Sequence, residues 1–125
     1  MEVKIAVASS DGKNIDSHFG RACQFLVFIV EDDGCRYLET RKSAPACEGQ
    51  THDDNRLEAA AALLADCQGV IVNQIGPGAV DVLIARRILP FAMSGDVDEG
   101  LRTVINSPRL RYMRKKGSDK TAAGQ

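Results

Sequence analysis

The chain predicts an α/β fold: a mixed five-stranded sheet in the order β-β-β-α-β-α-β-α, with helices on both faces. Three observations carry this. The first half holds three strand patterns with no helix between them, two of them joined by a tight acidic turn ending in Asp33-Gly34. The second half alternates helical stretches with short apolar runs, as parallel βαβ units do. A chain of 125 residues, 44% hydrophobic and 26% charged, is long enough to close one core over such a sheet.

Each element has its own signal. Val3 to Ala8 alternates apolar with small or polar residues, the period of a strand. Ser9 to Gly20 is a polar loop carrying the turn signal Asp11-Gly12. Gln24 to Val30 is a continuous apolar run rich in β-branched and aromatic residues, which at seven residues fits a central strand. Glu31 to Gly34 turns the chain, and Cys35 to Lys42 returns antiparallel with Tyr37 and Leu38 marking its buried face.

A second loop, Ser43 to His52, leads to a helix from Asn55 to Cys67. Asp53 or Asp54 caps it, the Ala59–Ala62 run gives it a close-packing face, and Gly69 stops it. Val70-Ile71-Val72 reads as a buried parallel strand. Gly76-Pro77-Gly78 turns into a helix from Ala79 to Arg87; Pro90 to Met93 is a short strand; Val97 to Asn106 is a last helix capped by Asp96. Right-handed crossovers place the later strands beside the first, an arrangement that resembles the ribonuclease H-like fold.

Charge is unevenly placed. Residues 107–125 carry six basic side chains against one acidic, a net of +5, and the remaining 106 residues carry −6. An acidic body with a basic, solvated tail argues against nucleic acid as a partner. The domain is therefore read as residues 1–106 and the tail as 107–125. No apolar run approaches the ~20 residues that span a bilayer, so no membrane partner is expected. The strand pattern opening at Met1, with no signal-peptide region, makes cytoplasm the expected location. Disulfides are then not expected. The four cysteines, Cys23, Cys35, Cys47 and Cys67, lack C-x-x-C spacing and match no zinc template.

In open α/β sheets ligands sit beyond the carboxyl ends of the parallel strands. Three loops should meet there: Ser9–Gly20, Cys47–His52 and Gly76–Gly78. The glycine turn, Gly76 and Gly78, opens a helix whose free N–H groups suit an anion, although a turn needing glycine geometry is an equally natural reading. It lacks the Lys-Ser/Thr of a phosphate-binding loop and the G-x-G-x-x-G of a dinucleotide site. His18 is the sharper candidate, since a neutral imidazole ligates iron, zinc and copper. Cys23, Cys47 and His52 accompany it. Cys23 at a strand start also reads as a packing residue, and His52 as a loop residue ahead of a helix cap. A two-magnesium nuclease is disfavoured, because the first strand holds no acid. A hydrolase on Cys47 with His18 or His52 lacks an orienting partner. No enzymatic activity is expected.

The segments Ile5-Ala6-Val7-Ala8-Ser9-Ser10-Asp11-Gly12, Ile15-Asp16-Ser17-His18-Phe19-Gly20-Arg21-Ala22, Leu64-Ala65-Asp66-Cys67 and Ile75-Gly76-Pro77-Gly78-Ala79 together resemble the dinitrogenase iron–molybdenum cofactor biosynthesis family, to which NifX and the C-terminal domain of NifB belong. The resemblance covers residues 1 to about 106. It implies a ribonuclease H-like fold without nuclease activity and a carrier of an iron–sulfur or iron–molybdenum type cluster, or another molybdenum-containing cluster. It also implies cofactor-assembly proteins as cluster donor and acceptor, and a role in nitrogen fixation. It maps the family's cofactor histidine onto His18; Cys47 and Cys23, from their place near the same loops, are read as helper ligands beside it. The Gly76 and Gly78 N–H groups and Arg21 would then offset the cluster's charge. A regulatory or interaction module that keeps the fold without a cluster is the alternative. One departure stands out: Arg86-Arg87-Ile88 occupies a place where members often carry glycine. A left-handed backbone at Arg87 would cost about 1 kcal/mol against glycine.

Overall fold

Alternation in the first strand decides how the molecule is layered. The computed structural model describes residues 3–31, 34–43 and 54–108, with side chains from 57 onward in the last span. Strand β1 (Val3–Ala8) lies at the centre of a five-stranded sheet ordered β3-β2-β1-β4-β5. It pairs antiparallel with β2 (Gln24–Glu31) from Val3↔Val30 to Ala8↔Phe25. On its other side it pairs parallel with β4 (Gly69–Val72), Ile5 opposite Gly69. Strand β3 (Gly34–Lys42) extends the antiparallel half, and β5 (Leu89–Ala92) the parallel half.

Successive side chains on a strand point to opposite faces. Ala6, Ala8, Val70 and Val72 therefore pack under α1 (Asp54–Leu63) and α2 (Pro77–Ala85), against Ala60, Leu64 and Leu83. Ile5, Val7 and Ile71 point the other way, onto Val97, Leu101 and Val104 of α3 (Val97–Ile105). The small residues of β1 and α1 share one face, which lets helix and sheet approach closely. Asp96 caps α3 as its sequence predicts, accepting the Glu99 N–H at 2.7 Å.

Four local expectations need correction. Tyr37 and Leu38 are 52% and 37% exposed, because β3 is an edge strand and has only one neighbour to bury against. Tyr37 instead lies edge-on to Phe28, with ring centroids 5.8 Å apart. Helix α1 ends at Leu63, and turns lead from there to Cys67. Gly69 does not stop that helix; it begins β4, where an added Cβ would lie 3.0 Å from Ile5 Cδ1 and 3.2 Å from Phe91 Cε2. It is glycine because two strands' side chains close over it. Finally, Cys23 is disulfide-bonded. Cys35 and Cys67 are free, so its partner lies outside the described residues. Asp53, Cys47, His52 and the tail from residue 109 also lie outside them.

Arg87, the residue after the C-cap Arg86 of α2, has φ 64°. The Ile88 N–H donates to the Leu83 carbonyl and the Arg87 N–H to the Ile84 carbonyl, both at 2.9 Å. These two bonds form a Schellman stop, with Ile88 and Leu83 both fully buried across it. Arg87 sits at the left-handed position where glycine is favoured.

Candidate functional site

The loop from Ser9 to Gly20 is fastened at both ends and twice along its length. At its start the Asp11 carboxylate accepts the Lys13 and Asn14 N–H groups at 2.8 and 2.9 Å. Those N–H bonds, Asn14's first, hold its carboxyl well below the usual carboxylate range. Gly12, at φ 79°, supplies the left-handed step that the turn needs. Asn14 then pairs with Asp96 in an antiparallel bridge, and the Ile15 N–H donates to Gly95 O at 2.9 Å. Farther on, the Asn73 N–H donates to Ser17 O at 2.9 Å and the Phe19 N–H to Gln74 O at 3.1 Å. His18 and Gln74 are thereby partners in a parallel bridge. The glycines at 12 and 20 do not loosen this loop: one makes a turn and the other lies in a short 3-10 helix, Phe19–Arg21.

His18 stands between two anchors. Phe19 beside it is fully buried, its ring 5.9 Å from that of Phe25. The Asn73 side chain donates to Ile15 O at 3.2 Å and ties the same loop from beneath. The His18 side chain is left exposed on a fixed backbone.

An open cleft of about 370 Å³ lies here, beyond the carboxyl ends of β4 and β5. His18, Phe19 and Gly20 form one wall; Asn73, Gln74, Ile75 and Gly76 form the other, and Ala92 closes the end. The volume falls in the range of small-ligand sites. No carboxylate, ammonium, guanidinium, hydroxyl or thiol belongs to these lining residues. Among the described residues the site thus offers one imidazole, neutral amides and backbone N–H groups, a set that suits weak capture of an anion.

Gly76 adds to this. It is the N-cap of α2 with φ −88° and ψ 166°, an extended conformation open to any residue. A Cβ there would meet nothing within 4 Å. The backbone therefore does not require glycine here; what its bare α-carbon leaves is space in the cleft. No side chain caps α2, and Pro77 supplies no N–H. The first helical bond runs from Val80 N to Gly76 O at 3.0 Å. The Gly78 and Ala79 N–H groups thus remain at the positive end of the helix.

The other sequence candidates sit elsewhere. Arg21 is exposed at the end of the 3-10 helix, and its side chain does not line the cleft. Gly78 lies outside the lining; its Cβ position faces Leu57 Cδ1 at 3.8 Å. Cys23 is exposed, and as a disulfide it presents no thiolate to a metal. Cys67 is buried, and that burial, with Asp66 beside it, pushes its thiol up to about 12. Among the described residues no three His, Cys, Asp or Glu side chains converge as a metal site. Sequence reasoning missed Asn73 and Gln74. Their signal was present: two amides directly after the apolar run Val70–Val72, at the carboxyl end of a parallel strand.

Comparison with known proteins places the chain. Residues 1–107 match the family model described as dinitrogenase iron–molybdenum cofactor. The chain is 34% identical over 113 residues to the FeMo cofactor biosynthesis protein NifB of Chlorobaculum tepidum, covering 89% of this chain and 26% of that protein. It thus spans about a quarter of that relative's length. It is 27% identical over 122 residues to protein NifX of Rhodobacter capsulatus, covering 90% of this chain and 76% of NifX. The apo form of the orange protein from Desulfovibrio gigas has the same fold, with a TM-score of 0.59 at 20% identity over 82% of this chain and 87% of that one. Among the described residues no helix is long and apolar enough to cross a membrane. The chain belongs to the dinitrogenase iron–molybdenum cofactor family.

Proposed function

We propose that this chain is a non-enzymatic carrier in iron–molybdenum cofactor biosynthesis, binding an anionic metal–sulfur cluster or its precursor in the cleft and passing it on. One observation carries the reading: His18 and the bare Gly76 N-cap of α2 border the same open cleft, whose described lining residues include no carboxylate. The imidazole supplies a soft ligand, and the helix end supplies positive potential for a sulfide-rich anion. A site with one or two weak ligands, rather than a closed cysteine set, suits cargo that must leave again.

The names of the relatives support the cargo class, and cofactor-assembly proteins are then the donor and acceptor. Among the described lining residues His18 is a base, and no hydroxyl, thiol or carboxylate lies beside it to serve as a nucleophile. Arg21 and Gly78 lie one and two residues beyond the two segments that line the cleft, and serve the anion as outer contacts rather than as wall residues. Cys23, when reduced, and Cys47 remain helper ligands in this proposal. The strand order, with three antiparallel strands followed by two parallel ones, supports the ribonuclease H-like reading of the fold.

The test is metal and sulfide analysis of protein isolated without oxygen from cells that assemble the cofactor. Iron and sulfide that co-purify with the wild type and are missing from His18→Ala support the carrier. A wild type that holds neither, and takes up neither on anaerobic reconstitution, overturns it.

A further inference from the structure

We infer that Gln74 is a second cargo contact, its side-chain amide donating a hydrogen bond to a sulfide of the anion that His18 ligates. This rests on the carrier reading above. His18 and Gln74 are direct partners in a parallel bridge. Strands so paired lie about 5 Å apart, and opposed residues send their side chains to the same side. Both residues line the cleft, and both are exposed.

The Gln74 backbone is fixed, because its carbonyl accepts the Phe19 N–H at 3.1 Å and its neighbour Asn73 is tied to Ser17. Its side chain makes no hydrogen bond among the described residues. The fold therefore positions this amide without using it. A neutral amide suits such a contact, because it donates N–H to sulfide without the firm grip of a lysine or arginine. A carboxylate in the same place would repel the cargo. Hydrogen bonds to cluster sulfurs stabilise the more reduced, more negative state and raise the reduction potential.

The experiment uses a four-iron, four-sulfide cluster assembled anaerobically from ferrous iron and sulfide on the full chain, comparing wild type with Gln74→Leu, Gln74→Glu and His18→Ala. Gln74→Leu is expected to bind about tenfold more weakly, the loss of one hydrogen bond to a charged partner, and to show a more negative midpoint potential. Gln74→Glu is expected to bind more weakly still. Thermal unfolding of both apo variants should match the wild type, since the side chain makes no hydrogen bond among the described residues. If both variants equal the wild type in affinity and potential while His18→Ala loses the cluster, the Gln74 assignment is overturned and the carrier reading stands. If the wild type takes up no cluster, both fall.

Discussion

Asn73 and Ile15 are joined across the mouth of the sheet: the Asn73 side chain donates to the Ile15 carbonyl at 3.2 Å, 58 positions apart in sequence. The bond ties the loop that carries His18 to the end of β4. Asn73→Ala is expected to lose about 1 kcal/mol, the net worth of one hydrogen bond, or about 4 °C in melting temperature. Asn73→Asp sets a carboxylate against a carbonyl oxygen and is expected to lose more. Calorimetry of the two variants checks the ranking. Equal stability of all three proteins would show that the bond does not hold the loop.

Arg87 occupies a left-handed position at φ 64° in the stop of α2. Arg87→Gly is expected to stabilise the protein by about 1 kcal/mol, since glycine takes that conformation without the Cβ penalty. Urea unfolding reads the change as a higher midpoint with an unchanged slope. A lower midpoint would contradict the strain.

Gly100 lies under Ile15. A methyl group at Gly100 would come 2.5 Å from Ile15 Cδ1 and 3.3 Å from Met93 Sδ. Gly100→Ala gains about 1 kcal/mol of helix propensity but overpacks a buried contact, which costs about 1–3 kcal/mol. A net loss is expected. Ile15→Val removes the offending Cδ1, so Gly100→Ala should become neutral or stabilising in that background. Additive effects of the two substitutions would show that they do not meet.

The Arg41 guanidinium grips Asp66 through two bonds of 2.6 and 2.9 Å, and Lys4 adds a third of 3.0 Å. Arg41's hydrogen bonds, its largest influence, hold the Asp66 carboxyl well below the usual carboxylate range. A lowered folded pKa means that this stabilisation is present above the unfolded value near pH 4 and is lost as pH falls below it. The Asp66 side chain is 45% exposed, so solvent screening limits the effect to about 0.5–1 kcal/mol. Asp66→Asn should therefore be less stable than wild type at pH 6, by a margin that shrinks steadily as pH falls below 4. A difference that is constant across that range would contradict the assignment.

Period and composition made most of the fold legible. The alternation of β1, the apolar run of β2 and the β-branched Val70–Val72 each name a strand with buried neighbours. Edges were harder to read. Tyr37 looks like a core residue in sequence, and only the sheet order shows that nothing lies beyond it. Gly69 looks like a helix stop because the Ile5 and Phe91 side chains that crowd it come from other strands. The disulfide at Cys23 was not legible, because cysteine spacing carries no pairing information. That His18 and Gly76 would line one cleft was legible because loops at the carboxyl ends of parallel strands converge. Gln74 escaped notice because its place beside His18 comes from a bridge between distant segments.

Anaerobic titration with isolated iron–molybdenum cofactor, comparing wild type, His18→Ala and Gly76→Val, tests the central claim most directly. The Gly76 N-cap is extended and its Cβ direction open, so valine fills the cleft without straining the fold. The account predicts reversible uptake by the wild type, loss of binding in His18→Ala, and a large loss in Gly76→Val with unfolding unchanged. Equal binding by all three would show that the cargo, if carried, rides elsewhere on the molecule.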